Sequence, residues 1–194
     1  MITLKHIDKR IWYALAAVLI AAAVITAICL FVLGAKGTKP LANVETAGRA
    51  GKALIPAVGY DLTKRGYRNN NPLNIRISNN QWQGKITPSA DSDFEQFETI
   101  VYGFRAAIKN LKSYITRYGC NTISTIISKW APASDSNNPM RYAAVVSNMS
   151  GIDKDEVILP TDREKICRII HWMAYFENGS EPLDKDINAA WAIV

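Results

Sequence analysis

From Ile11 to Ala35 the chain reads IWYALAAVLIAAAVITAICLFVLGA, and no residue in that run carries a charge. No other feature limits the possible folds so strongly. As an α-helix the run would be roughly 36 Å long, against a hydrocarbon core of about 30 Å. It is too long for the apolar region of a cleaved signal peptide, and no small-x-small cleavage site follows it cleanly. Ile28, not a small residue, precedes Cys29, which argues against a lipoprotein signal. Residues 1–35 therefore read as an N-terminal tail and a single transmembrane anchor, with lipid contact through residues 11–35. Lys5, Lys9 and Arg10 flank one end, and Lys36 and Lys39 flank the other. The positive-inside bias is therefore weak, and topology has to follow from function.

Charge and ligand chemistry narrow the classes further. The formal net charge is +6, and after Ala35 there are 20 basic and 16 acidic residues. No basic run interleaved with aromatics marks a nucleic-acid groove, so no nucleic-acid partner is expected. A mild positive balance suits an anionic polymer such as a cell wall. Two histidines, His6 and His171, lie far apart, and the three cysteines show no zinc-type spacing, so neither a metal nor another cofactor is expected. Cys120 and Cys167 read either as a disulfide in an oxidising compartment or as two unpaired buried thiols.

Residues 36–66, rich in glycine and scattered charge, read as a linker. From Tyr67 to Val194 the texture is that of a small domain. IRISNNQWQGKI alternates in its first half and predicts a short β-hairpin turning at Ser78-Asn79-Asn80. Val101, Phe104, Ile108, Leu111, Ile115 and Tyr118 fall at helical spacing, with Gly119 as a stop. Asn121 is a candidate cap for a second helix carrying Ile123, Ile126, Ile127 and Trp130. Asn138-Pro139 opens a third helix that closes at Gly151. Thr161 and Glu164 form a potential capping box for a fourth, ending near Gly179, and a last short helix holds Ile187 and Trp191. The domain is thus mainly α, with a polar start that contains some β structure.

No Walker loop, dinucleotide glycine turn or Gly-x-Ser-x-Gly elbow is present. His171, in the middle of a helical pattern, reads as a packing or surface residue. What remains is carboxylates, amides and aromatics. That inventory suits a carbohydrate site, where amides bond hydroxyl and acetamido groups and rings cover apolar sugar faces. Cleaving a glycosidic bond needs a protonated carboxyl as general acid. The densest acidic stretch, ADSDFEQFE, holds Asp91, Asp93, Glu95 and Glu98. Each of these also reads as part of a solvated loop. Trp82 reads equally as a sugar platform or a core residue, and Asn70-Asn71 also reads as a simple turn cap.

Five blocks follow one another in order: RGYRNNNPLNIR, QWQG, DSDFEQFETIVYGFRAA, TISTIISKWAP and YAAVVSNMSG. Together they resemble a family of phage and prophage virion-associated proteins with a lysozyme-like, peptidoglycan-hydrolase domain. A more distant similarity is to the autolysin-type glucosaminidases, which carry Asn-Asn-x-x-Gly-Ile-Lys followed by Trp-x-Gly; here Asn74 stands where glycine is usual. The resemblance implies an α+β lysozyme-like fold and a glycan cleft lined by Asn70, Asn71, Asn74, Arg76 and Trp82. The autolysin relatives place a catalytic glutamate before the Asn-Asn segment, and no such motif exists here. The phage-type pattern puts an aspartate just before a Phe-x-x-Phe pair, which implies Asp91 as the acid. Glu95, Glu98 and the upstream Glu45 are the further candidates.

The expectation is a membrane-anchored enzyme of a virion, acting on peptidoglycan glycan strands as a lysozyme or lytic transglycosylase. It would serve genome entry or release and have peptidoglycan, lipid and other virion proteins as partners. Its place would be the internal membrane of a virion or the bacterial inner membrane, with the N-terminus inside and the domain periplasmic. The alternative is a glycan-binding or structural membrane protein of the virion without activity.

Overall fold

The computed structural model of the protein describes residues 52–135 and 137–194. The expected anchor at residues 11–35 and the candidate acid Glu45 lie outside them, as does most of the expected linker. No helix among the described residues is long and apolar enough to cross a membrane.

The described residues belong to one compact unit. In order they form α1 (Arg65–Arg68), β1 (Lys85–Ile86), β2 (Gln96–Phe97), α2 (Ile100–Tyr118), α3 (Ile123–Trp130), a 3-10 turn (Ala133–Asp135), α4 (Pro139–Ser150), α5 (Arg163–Asn178) and α6 (Asp184–Trp191). The architecture is mainly helical with one two-stranded antiparallel sheet. Phe104, Ile108 and Leu111 of α2 meet Ile123, Ile126 and Ile127 of α3 and Ile166, Ile169, Ile170 and Met173 of α5 in a single core, all fully buried. Each such side chain contributes about 1.5–3 kcal/mol by leaving water. Helix α2 packs against α6, α5 and α3, and α4 lies against both α3 and α5.

The helix signals hold with small shifts. Gly119, Gly151 and Gly179 end α2, α4 and α5, and Asn138 caps α4 by accepting the Arg141 N–H. The cap of α3 is Thr122, not Asn121, because Thr122 and Thr125 form a reciprocal capping box. Asp162, not Thr161, stands at the start of α5, and no side chain caps that helix. Gly103 lies one turn inside α2, where a Cβ would come within 1.9 Å of the Asn70 carbonyl oxygen. Its role is close approach between helix and loop.

Two expectations change. The local hairpin at Ser78–Asn80 is replaced by longer-range pairing. Lys85 and Ile86 pair with Phe97 and Gln96, and Arg76 bridges Phe94. The segment after the asparagines therefore joins the acidic stretch instead of folding back on itself. The packing of the domain also begins before Tyr67. Ala57 is buried, the Ile55 N–H donates to the Glu98 carbonyl, and the Tyr60 hydroxyl donates to Asp186. Within residues 55–66, expected as the end of the linker, Ile55, Ala57 and Tyr60 are held to the domain, and the Tyr60 ring lies 4.7 Å from the buried Tyr67 ring, tilted at 59°.

Candidate active site

The asparagine run works as a structural hub. Asn69, Asn70 and Asn71 are almost wholly buried. The Asn70 amide donates to the carbonyls of Ile55, Phe97 and Glu98. The Asn71 amide donates to the carbonyls of Ile75 and Glu95, and its oxygen accepts the Ile75 N–H. Asn69 donates to Asp91 and accepts from Gln96. These side chains replace the ladder that a two-residue sheet cannot supply, since buried backbone groups need partners. Asn70 and Asn71 thus do not line a glycan cleft.

Asn74 has a different role. Its φ of 50° lies in the left-handed region, which asparagine tolerates better than most residues. That conformation matches the glycine expected at this position, and the side chain adds something glycine lacks. Its Nδ2 donates to Glu177 Oε2 at 3.1 Å. Glu177 Oε1 accepts from the Tyr142 hydroxyl at 3.0 Å. Tyr142 is buried, stacks on Phe176 at 3.8 Å and has its phenol pKa raised well above normal by burial, so it remains an O–H donor. Asn178, one residue on, donates to the Pro72 carbonyl and ties the end of α5 to the Asn74 loop.

Glu177 opens onto a groove of about 190 Å³ with Asn74, Arg76, Phe94, Trp130 and Asp135 on its walls. Burial raises the pKa of its carboxyl, and the Asn74 amide, Tyr142 hydroxyl and Trp130 indole pull it part of the way back. Arg76 is exposed, with its guanidinium 5.9 Å from the Phe94 ring centre and 4.0 Å from Asp135. A raised carboxyl, amide and guanidinium donors and an aromatic wall thus share one groove. That set can protonate a leaving oxygen and hold a polar ligand with an apolar face.

The sequence reading missed Glu177. The available signal was its place on the apolar stripe of α5, in register with Ile166, Ile169, Ile170 and Met173, where a carboxylate is out of pattern.

The candidate acids of the sequence lie elsewhere. Asp91 accepts two bonds from Arg65, at 2.7 and 2.6 Å, and one from Asn69, besides the N–H groups of Asp93 and Phe94. The Arg65 guanidinium holds its carboxyl far below the ordinary range, which disfavours the protonated form that a general acid needs. Glu95 is fully buried and accepts from Lys85 and from the N–H and hydroxyl of Ser78. Glu98 pairs with Lys52 at 3.3 Å. None of the three lines the Glu177 groove. Trp82 is also apart from it, in a separate groove beside α2.

A hollow of about 570 Å³ between α5 and α6 contains Cys167, His171 and Trp172. His171 Nδ1 lies 2.7 Å from Asp184, an exposed carboxylate. Burial raises the Cys167 thiol pKa, which works against thiolate chemistry, and both Cys120 and Cys167 are free. The smaller Glu177 groove carries the more complete chemistry. No cluster of three or more His, Cys, Asp or Glu side chains placed to hold a metal ion occurs among the described residues.

No family model matches the sequence. Protein P5 of Pseudoalteromonas phage PM2 is 36% identical over 146 residues, which cover 74% of this chain and 88% of that protein.

Proposed function

The chain belongs to the family of that phage protein, and from this premise we propose that it is a membrane-anchored enzyme that cleaves peptidoglycan glycan strands, with Glu177 as its general acid. One observation carries the reading: a carboxyl with a raised pKa faces a groove walled by an amide, an arginine and aromatic rings. Glu177 keeps its proton closer to neutral pH than a free glutamate and gives it to the glycosidic oxygen as the bond breaks. The Asn74 amide and Tyr142 hydroxyl then stabilise the carboxylate that is left. That carboxylate next takes a proton from the incoming hydroxyl, either of water or of the cleaved sugar itself. Water gives the lysozyme product and the sugar hydroxyl gives the anhydro product of a lytic transglycosylase. Residues 11–35 would hold the enzyme in a phage or bacterial membrane, with the N-terminus inside and the domain on the side of the wall.

The test is a renaturing gel cast with bacterial sacculi, loaded with the full-length protein. Wild type clears its band and Glu177→Gln does not, while Asp91→Asn still clears. Mass spectrometry of the products separates a reducing end from an anhydro end. Sacculi bound but uncut by wild type would instead favour a glycan-binding protein of the virion.

A further inference from the structure

Helix α2 carries Arg105, Lys109, Lys112 and Arg117 and no acidic residue along its whole length. Among the described residues none of these four cations has an ion-pair partner. Arg105, Lys109 and Arg117 line a groove of about 600 Å³, closed on its other side by the loop that carries Trp82. The groove also presents the amides of Gln81 and Asn110 and the ring of Tyr114. Arg105 is fixed, its Nε donating to the Ile193 carbonyl at 2.7 Å, whereas Lys109 and Arg117 are exposed. The Trp82 indole N–H is buried without a partner. A solvated helix face normally mixes both signs of charge, so an unpaired one-sign face beside amides and rings has the composition of a ligand site.

This groove is also adjacent to the first. Tyr114 on its wall lies 6.3 Å, centre to centre, from Trp130 on the wall of the Glu177 groove. We propose that the Trp82–α2 groove is a second binding site for the same strand, and that it takes an acidic saccharide. Its amides and rings fit sugar, and its three cations fit carboxylates carried along the strand. A strand lying in the Glu177 groove would pass the Trp130–Tyr114 pair and be held at a distance from the bond being cut. The proposal rests on the glycan reading of the Glu177 groove, but its measurement needs no turnover.

The experiment uses the full-length Glu177→Gln protein in detergent micelles, so that strands are not cut. Binding is measured to purified acidic peptidoglycan strands and to chitotetraose, which has a neutral backbone of the same linkage. The double change Lys109→Glu with Arg117→Glu should weaken acidic-strand binding roughly tenfold, which is about 0.7 kcal/mol for each of two exposed charge contacts. Chitotetraose binding should move less than about twofold, and Lys109→Arg with Arg117→Lys should keep the acidic-strand affinity. An unchanged affinity for acidic strands overturns the proposal, as does an equal loss for both ligands. A variant that loses binding to vesicles of anionic lipid but not to acidic strands also overturns it, since the groove would then face a membrane. Loss of cleavage chemistry as a reading, with no product from wild type, leaves the charge-selective binding to be scored by itself.

Discussion

Replacing Asn71 by alanine separates a structural hub from a ligand wall. The side chain is fully buried and makes three hydrogen bonds at 2.9 Å. The Ile75 carbonyl would keep a partner in the Glu95 N–H. The Ile75 N–H and the Glu95 carbonyl would each lose the asparagine. An unpaired buried polar group costs about 1–3 kcal/mol, so the change should destabilise the domain by roughly 3–4 kcal/mol. For a domain of this size that lowers Tm by roughly 10 °C. Thermal and urea unfolding followed by near-ultraviolet circular dichroism would read it. Asn71→Asp keeps the acceptor for Ile75 but sets a carboxylate against two carbonyls. It should be destabilised at neutral pH and partly recover in acid, where a protonated oxygen can donate. If Asn71→Ala unfolds within about 2 °C of wild type while glycan binding falls, the hub account is refuted.

Three further outcomes follow from the same geometry. Glu177 has a raised carboxyl in the folded state, so its contribution to stability is full below the ordinary glutamate pKa of 4.5 and is lost as pH rises through the folded value. Glu177→Gln should therefore raise Tm at neutral pH and lose that advantage below pH 4.5, checked by melting curves across pH. Asp91 has the opposite sign: Arg65 lowers its carboxyl, so its stabilisation is present above the ordinary 3.8 and fades as pH falls. Asp91→Asn should lower Tm at pH 7 and match wild type in strong acid. Gly103→Ala should destabilise by about 1–3 kcal/mol in urea melts despite alanine's better helix propensity, because the Asn70 carbonyl leaves no room for a Cβ.

Helices were readable because their apolar stripes and terminal signals are local. The stripe of α2 and its stop at Gly119 are written within 20 residues, and both appear in the fold. The sheet was not readable, because its pairing depends on side chains that act across the chain. The alternation after Arg76 suggests a hairpin, but Asn71 holds Ile75 to Glu95 and sends that segment to Phe94. The site divides in the same way. Asn74 and Arg76, singled out by the resemblance, both line the Glu177 groove. Asp91 was favoured for its position, and Arg65, 26 residues earlier, gives it a different role. Glu177 lies 103 residues after Asn74, so nothing local could announce the pairing, although its place on the buried stripe of α5 was visible.

The docking of residues 55–66 has a consequence for reach. A leash running from Lys36 to Gly66 could extend about 105 Å at full stretch. Ile55 is clamped by Glu98 and Asn70, so the stretch from Lys36 that precedes the clamp ends at Leu54. Its longest possible span is then about 65 Å. If residues 11–35 are held in a bilayer, as proposed, that length is the upper limit on the distance from the bilayer to Ile55. Lengthening or shortening the stretch before Leu54 would move that limit without touching the groove.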